Sequence, residues 1–196
     1  MKAKPVVILL VTIVVAAACG AGVISYIDGN AKTTFTTVTG TIHQYVKQKP
    51  KLEPLEDLGT NLALNLETSS SGITQDKAVD RANDGDVLTY WEGTPDSYPN
   101  SLWVDLRSVK SVKAVRIKLN PDPIWEKRSQ TFSITGSTDD KNYTAIVDTA
   151  EYVFDPDTNG NVVTIKFDAV DVQYVKLTFT ANTAATAGQA GEFEVY

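Results

Sequence analysis

From Asn61 onward, apolar and polar residues alternate in short runs. Val115, Ile117 and Leu119 alternate with Arg116 and Lys118. Val163, Ile165 and Phe167 alternate with Thr164 and Lys166, and Val175, Leu177 and Phe179 with Lys176 and Thr178. Phe132 and Ile134 keep the same two-residue spacing. Successive side chains of a strand point to opposite faces, so each run buries one face and wets the other. Leu62–Leu66, Leu102–Leu106, Tyr143–Val147 and Glu192–Tyr196 read as further strands, which brings the total to about eight or nine. Asn159-Gly160, between Tyr152–Phe154 and Val162–Phe167, is a hairpin turn signal. No helical periodicity of any length interrupts them. The pattern predicts an all-β sandwich of antiparallel strands over residues 59–196, large enough for a proper core.

Upstream the pattern changes twice. Residues 28–58 read as an extracytoplasmic stalk. Six threonines between Thr33 and Thr41 interleave with Phe35 and Val38, and Lys49-Pro50 and Glu53-Pro54 favour extended backbone. Residues 1–27 carry no acid and only Lys2 and Lys4, and the 23 positions Pro5–Ile27 are apolar or small apart from Thr12 and Ser25. About 20 such residues span a hydrocarbon core as a helix, so an N-terminal transmembrane anchor through residues 5–27 is expected, with the lysines inside. Two alternatives stay open. Ala16-Ala17-Ala18 also fits a signal cleavage site. Ala16-Ala17-Ala18-Cys19-Gly20 resembles the lipobox of bacterial lipoproteins, which would put a lipid on Cys19. All three place the remainder outside the cytoplasm, at the cell surface or secreted.

Composition narrows the chemistry. The 196 residues hold one cysteine and one histidine, so no internal disulfide and no Cys/His zinc site is available. Cys19 lies in the anchor and His43 in the stalk, which leaves the sandwich with oxygen ligands and aromatic faces. Lys2 and Lys4 set aside, 16 basic residues face 24 acidic ones, a net of −8. That excess argues against a nucleic-acid partner, whose phosphates need a basic patch.

The densest local feature is Ala82-Asn83-Asp84-Gly85-Asp86-Val87-Leu88-Thr89-Tyr90-Trp91. Its carboxylates, turn carbonyls and Thr hydroxyl suit a hard cation that takes six to eight oxygens, or equally an ordinary Asp-Gly turn. Asp155-Pro156-Asp157-Thr158-Asn159-Gly160 matches half of an EF-hand loop. Its twelfth position is Lys166 and a strand follows, so it reads as a turn.

Six blocks occur in a telling order: Asn61-Leu62-Ala63-Leu64; Asp84-Gly85-Asp86 with Thr89 and Trp91; Ser101-Leu102-Trp103-Val104-Asp105-Leu106; Gln130 to Ser137; Tyr174-Val175-Lys176-Leu177; and Glu192-Phe193-Glu194-Val195-Tyr196. Together they resemble the coagulation factor V/VIII type C, or discoidin, domain, and within it the bacterial family 32 carbohydrate-binding modules. Arg107 stands where the family usually has Gly. The resemblance implies a galactose-binding-like jelly-roll sandwich with a structural calcium ion. Asp84 and Glu192 would supply carboxylates, Thr89 an oxygen, and Arg81, Asp86 and Gly191 backbone carbonyls.

The resemblance also implies glycan binding by loops at one end, here Trp91–Ser101 and Asn120–Gln130. Trp125 would be the platform for a sugar C–H face, while Arg128 and Glu126 would fork onto hydroxyls. Tyr98 and Gln189 are further candidates. A Trp125 that folds back to cap the sandwich is the bland alternative. Trp91 and Trp103 read as packing residues. The functional expectation is a non-catalytic cell-surface module that binds a polysaccharide or glycoconjugate. The alternative is a structural or protein-interaction subunit with envelope protein partners. No carboxylate pair is marked as catalytic, so an enzyme is not expected.

Overall fold

Neighbouring alternating runs merge into the two longest strands of the sandwich. This computed structural model describes residues 51–196 throughout, and the backbone of two strands before them. Those two, β1 (Lys32–Thr36) and β2 (Ile42–Val46), pair antiparallel with Lys32 opposite Val46. The structure divides into two units between Lys51 and Leu52. The expected anchor, residues 1–27, lies outside the described residues. Among the described residues no helix is long and apolar enough to cross a membrane.

The second part carries eight strands: β3 (Thr68–Ser70), β4 (Trp91–Glu92), β5 (Asn100–Lys118), β6 (Arg128–Ser137), β7 (Thr144–Phe154), β8 (Val162–Asn182), β9 (Gln189–Ala190) and β10 (Glu192–Val195). The main sheet runs β10-β5-β8-β6-β7, with β3 also on β5, and β4 pairs with β9 apart from it. It is an all-β, sandwich-like fold.

Strands β5 and β8 each join two runs that read as separate strands in the sequence. Leu102 opposes Leu177 in one half and Val115 opposes Ile165 in the other, with register shifts between Asp105 and Lys110 and between Val112 and Ala114. Arg107 lies in the first shift at φ 66°, and its N–H donates to Asp105 Oδ1 at 2.7 Å. That left-handed backbone is the physical reason a glycine suits this position.

Leu62–Leu66 forms a turn, not the expected strand, and β3 begins only at Thr68. Asn61 Oδ1 accepts the Ala63 N–H at 3.0 Å, and the buried Asn83 amide donates to the carbonyls of Ala63 and Leu66. These side chains satisfy the turn's backbone groups, and Ala63 is fully buried. Asn159-Gly160 does reverse the chain, with Gly160 at φ 64° and Asn161 at φ 60°. It is not a hairpin, because β7 pairs with β6 and β8 pairs with β5 and β6.

The inward residues make one core. Leu102 and Val104 of β5, Phe132 and Ile134 of β6, and Val175, Leu177 and Phe179 of β8 are completely buried. Burial of each such side chain contributes about 1.5–3 kcal/mol. Phe179 lies 5.1 Å from Phe132 and 5.8 Å from Trp91, ring to ring. This aromatic row reaches β4 and so ties the core to the end of the fold where the β4–β9 ladder sits.

Candidate functional site

Register in the β4–β9 ladder brings distant loops together. Trp91 opposes Ala190 and Glu92 opposes Gln189. Alternation along β4 buries Trp91 completely and leaves the preceding Tyr90 half-buried on the other side. Gln130, the third residue of β6, is fully buried and holds Gln189 by its backbone, accepting its N–H at 2.8 Å and donating to its carbonyl at 3.0 Å.

The Gln189 side chain is a relay. Its Oε1 accepts from Arg128 Nη1 at 2.8 Å and from the Asn182 amide at 3.3 Å. Its Nε2 donates to Glu92 Oε2 at 2.7 Å. Arg128 opens β6, is nearly buried, and donates Nη2 to the Trp125 carbonyl. Burial pulls the guanidinium below its usual pKa, and the charges of Glu126 and Glu92 oppose that pull.

Trp125 ends a short 3-10 turn, Pro123–Trp125, in which Asp122 caps by accepting the Ile124 N–H at 2.9 Å. The guanidinium of Arg128 lies 4.9 Å over the indole, and Tyr90 meets it edge-on at 4.7 Å. A cavity of about 360 Å³ opens here, lined by Leu88, Tyr90, Asn120, Ile124, Trp125, Arg128 and Gln189. Ile124 is 81% exposed and Leu88 64%, so the cavity has an apolar rim over a polar floor.

Of the sequence candidates, the structure brings Trp125, Arg128 and Gln189 into one cavity. It keeps Glu126 and Tyr98 off its lining. Glu126 is exposed at φ 46° and closes the 3-10 turn with its N–H on the Pro123 carbonyl. Tyr98 packs on the core with its hydroxyl buried and unpartnered, and burial raises that group's pKa. Trp125 also packs partly against the core, so one indole serves as cap and cavity wall together. Tyr90, Leu88, Asn120, Ile124 and Glu92 were not singled out from the sequence. Alternation beside the buried Trp91 is the signal that could have exposed Tyr90.

The second candidate group, the set of oxygens, also converges. Thr89 Oγ1 donates to Asp84 Oδ2 at 2.7 Å and lies 3.1 Å from the Asp86 carbonyl and 3.4 Å from that of Arg81. Glu192, nearly buried at the start of β10, accepts the Gly85 N–H at 2.9 Å. A Cβ on Gly191 would lie 3.0, 3.3 and 3.4 Å from the carbonyl oxygens of Lys118, Val87 and Thr89. Glycine is therefore required where carbonyls crowd the backbone. Burial, and then the charges of Asp84 and Glu194, push Glu192 up to about 7 against the Gly85 hydrogen bond. Two carboxylates, a hydroxyl and turn carbonyls are the donors a hard divalent ion takes. Among the described residues no three Asp, Glu, His or Cys side chains form a metal cluster, so such an ion would depend on the neutral oxygens.

The domain is thus an all-β sandwich with a loop-end cavity lined by aromatic, apolar and polar side chains. The chain belongs to the F5/8 type C domain family, whose model matches residues 65–193. Chitosan-binding module 2 of a chitosanase/glucanase from Paenibacillus sp. IK-5, solved with chitotriose, is 27% identical. The match covers 69% of this chain and 99% of that one, with a TM-score of 0.53. Module 1 of the same enzyme is 25% identical over 70% and 99%, at 0.54. The family 32 module of AlyQ, solved with 4,5-unsaturated mannuronic acid, is 21% identical over 68% and 96%, at 0.55, and so shares the fold. No curated protein matches. The domain is thus homologous to carbohydrate-binding modules.

Proposed function

We propose that residues 59–196 form a non-catalytic carbohydrate-binding module, held at the cell surface by residues 5–27, that grips a glycan with the loops around Trp125. The observation that carries this reading is the cavity in which Trp125, Tyr90, Arg128, Gln189 and Asn120 meet. Aromatic edges, an apolar rim and a few aimed polar groups suit a sugar, which has a C–H face and a ring of hydroxyls. The two chitosan-binding relatives support it. The uninterrupted apolar run before Asp28 supports the surface setting.

Trp125→Ala in the full chain is expected to weaken glycan binding by about ten-fold or more, on the order of 1.4 kcal/mol. Its melting temperature should fall by no more than about 5 °C, since the indole is only half-buried. A glycan array followed by titration on the best hit measures both. Unchanged affinity in the variant would sink the assignment of the site. A wild-type chain that binds no glycan but carries stoichiometric membrane partners after mild detergent extraction would make it an assembly subunit.

Calcium is the second part of the proposal. Asp84 and Glu192 would supply carboxylates, Thr89 its hydroxyl, and Arg81, Asp86 and Gly191 carbonyls. The bound ion would staple the loop after Ala82 to β10. The test follows the pH. Without metal, Glu192 titrates at about 7 in the fold against an ordinary 4.5, so the native state holds the extra proton. Its contribution is then complete below pH 4.5 and is lost as pH rises through 7. In chelator the melting temperature should fall across that window. Added calcium should reverse the fall, and its benefit should grow with pH, because it binds only the ionised native site. Identical melting curves with calcium and with chelator at pH 7.5 would refute the site.

A further inference from the structure

We infer that the ligand of this cavity is an acidic glycan, and that the guanidinium of Arg128 receives a uronic-acid carboxylate. The inference rests on the carbohydrate reading above and names its ligand class. It starts from an unfinished account of hydrogen bonds. A guanidinium carries five N–H donors. In Arg128, Nη1 gives one to Gln189 and Nη2 gives one to the Trp125 carbonyl, while Nε is buried without a partner. The side chain is 8% exposed at residue level and lines the cavity.

Its charge has no carboxylate in contact, and Glu126 and Glu92 act on it only from a distance. Elsewhere in the domain arginines sit in ion pairs: Arg116 with Glu194, Arg107 with Glu67 and Arg81 with Asp76. No carboxylate of the described residues pairs with Arg128. Glu92 reaches it only through Gln189, and Glu126 stands on the exposed turn. A buried cation without a counter-charge in direct contact is costly to hold. A sugar hydroxyl would accept one N–H and leave the charge as it was. A carboxylate accepts two parallel N–H bonds in the plane of the guanidinium and neutralises it. Gln189, the Trp125 carbonyl and the indole beneath hold that plane in place, so little ordering remains to be done on binding. Leu88 and Ile124 at the mouth then cover the ring carbons. The acid excess of the chain repels long polyanions at a distance, so a short oligomer is the proper probe.

The test is titration calorimetry on the full chain with trigalacturonate, with its carboxyl-reduced neutral counterpart, and with chitotriose. Trigalacturonate is expected to bind about ten-fold or more tightly than the other two, as one good charged bidentate contact allows. Arg128→Gln should bring trigalacturonate down to the affinity of the reduced sugar. Arg128→Lys, which keeps the charge and loses the fork, should fall between them. Because Arg128 is buried, Glu92→Gln serves as a second variant that leaves it in place. Removing that acid from the relay should raise the preference for trigalacturonate over the reduced sugar about three-fold. Equal or weaker binding of trigalacturonate relative to the reduced sugar or chitotriose overturns the inference and leaves the carbohydrate reading standing. Failure of every oligosaccharide and of the glycan array overturns both.

Discussion

Trp91→Ala should destabilise the domain by about 3–5 kcal/mol, the range for removing a large aromatic from a packed core. Trp91 is completely buried, leans on Phe179 at 5.8 Å and donates Nε1–H to the Gly72 carbonyl at 3.1 Å. Its removal leaves a cavity and an unpaired carbonyl together. The damage should also spread, because β4 begins two residues after Thr89 and pairs with Gln189 and Ala190. Both the oxygen cluster and the Gln189 relay hang on that short ladder. Urea unfolding of the variant should show a lower midpoint with an unchanged slope. A loss below about 1 kcal/mol would mean that Trp91 is not the packing residue its burial indicates.

Glu194→Ala should cost about 3–5 kcal/mol as well, by a different route. Glu194 is nearly buried in β10, where Lys118 Nζ donates to its Oε1 at 2.6 Å and Tyr196 donates its hydroxyl to Oε2 at 2.8 Å. Arg116 Nη1 lies 3.8 Å away with its side chain 7% exposed. Alanine would strand that guanidinium inside the domain without its counter-charge. Arg116 also donates Nη2 to the Glu56 carbonyl at 2.7 Å, so the segment before the first turn should loosen with it. The double variant Arg116→Leu with Glu194→Leu should recover much of the loss, since two apolar groups of similar size carry no desolvation penalty. Chemical unfolding of the wild type, Arg116→Leu, Glu194→Leu and the double variant measures the coupling. Additive losses would mean that the two charges act independently.

Alternation was legible because a strand's side chains obey a period of two whatever lies around them. It placed the inward set of Leu102, Val104, Ile134, Leu177 and Phe179 without any knowledge of pairing. It misplaced Leu62–Leu66, where Asn61 and Asn83 satisfy the backbone by side-chain bonds that no periodicity records. It also split β5 and β8 in two, because register shifts, one around Arg107 in β5 and one between Lys166 and Val170 in β8, interrupt the pattern without ending either strand. Among the site residues, Trp125, Arg128 and Gln189 stood out by type and by loop position. Glu126 and Tyr98 did so as well, yet neither lines the cavity: one sits at the closing residue of a tight turn, and the other is packed inward.

By itself the sequence determined the class of fold and excluded thiol and imidazole chemistry from the domain, since residues 52–196 hold no Cys and no His. Local patterning is enough for those conclusions. Only the tertiary structure decided which loops share an end, and that depends on cross-strand register. Glu92 meets Gln189 across 97 residues, Arg128 meets Gln189 across 61, and Gly85 meets Glu192 across 107. A register slip of one residue would turn each of these side chains to the opposite face. The unpaired charge of Arg128 is likewise a property of the fold. Acidic residues are plentiful in the chain, and the packing alone leaves this one buried cation without an acid against it.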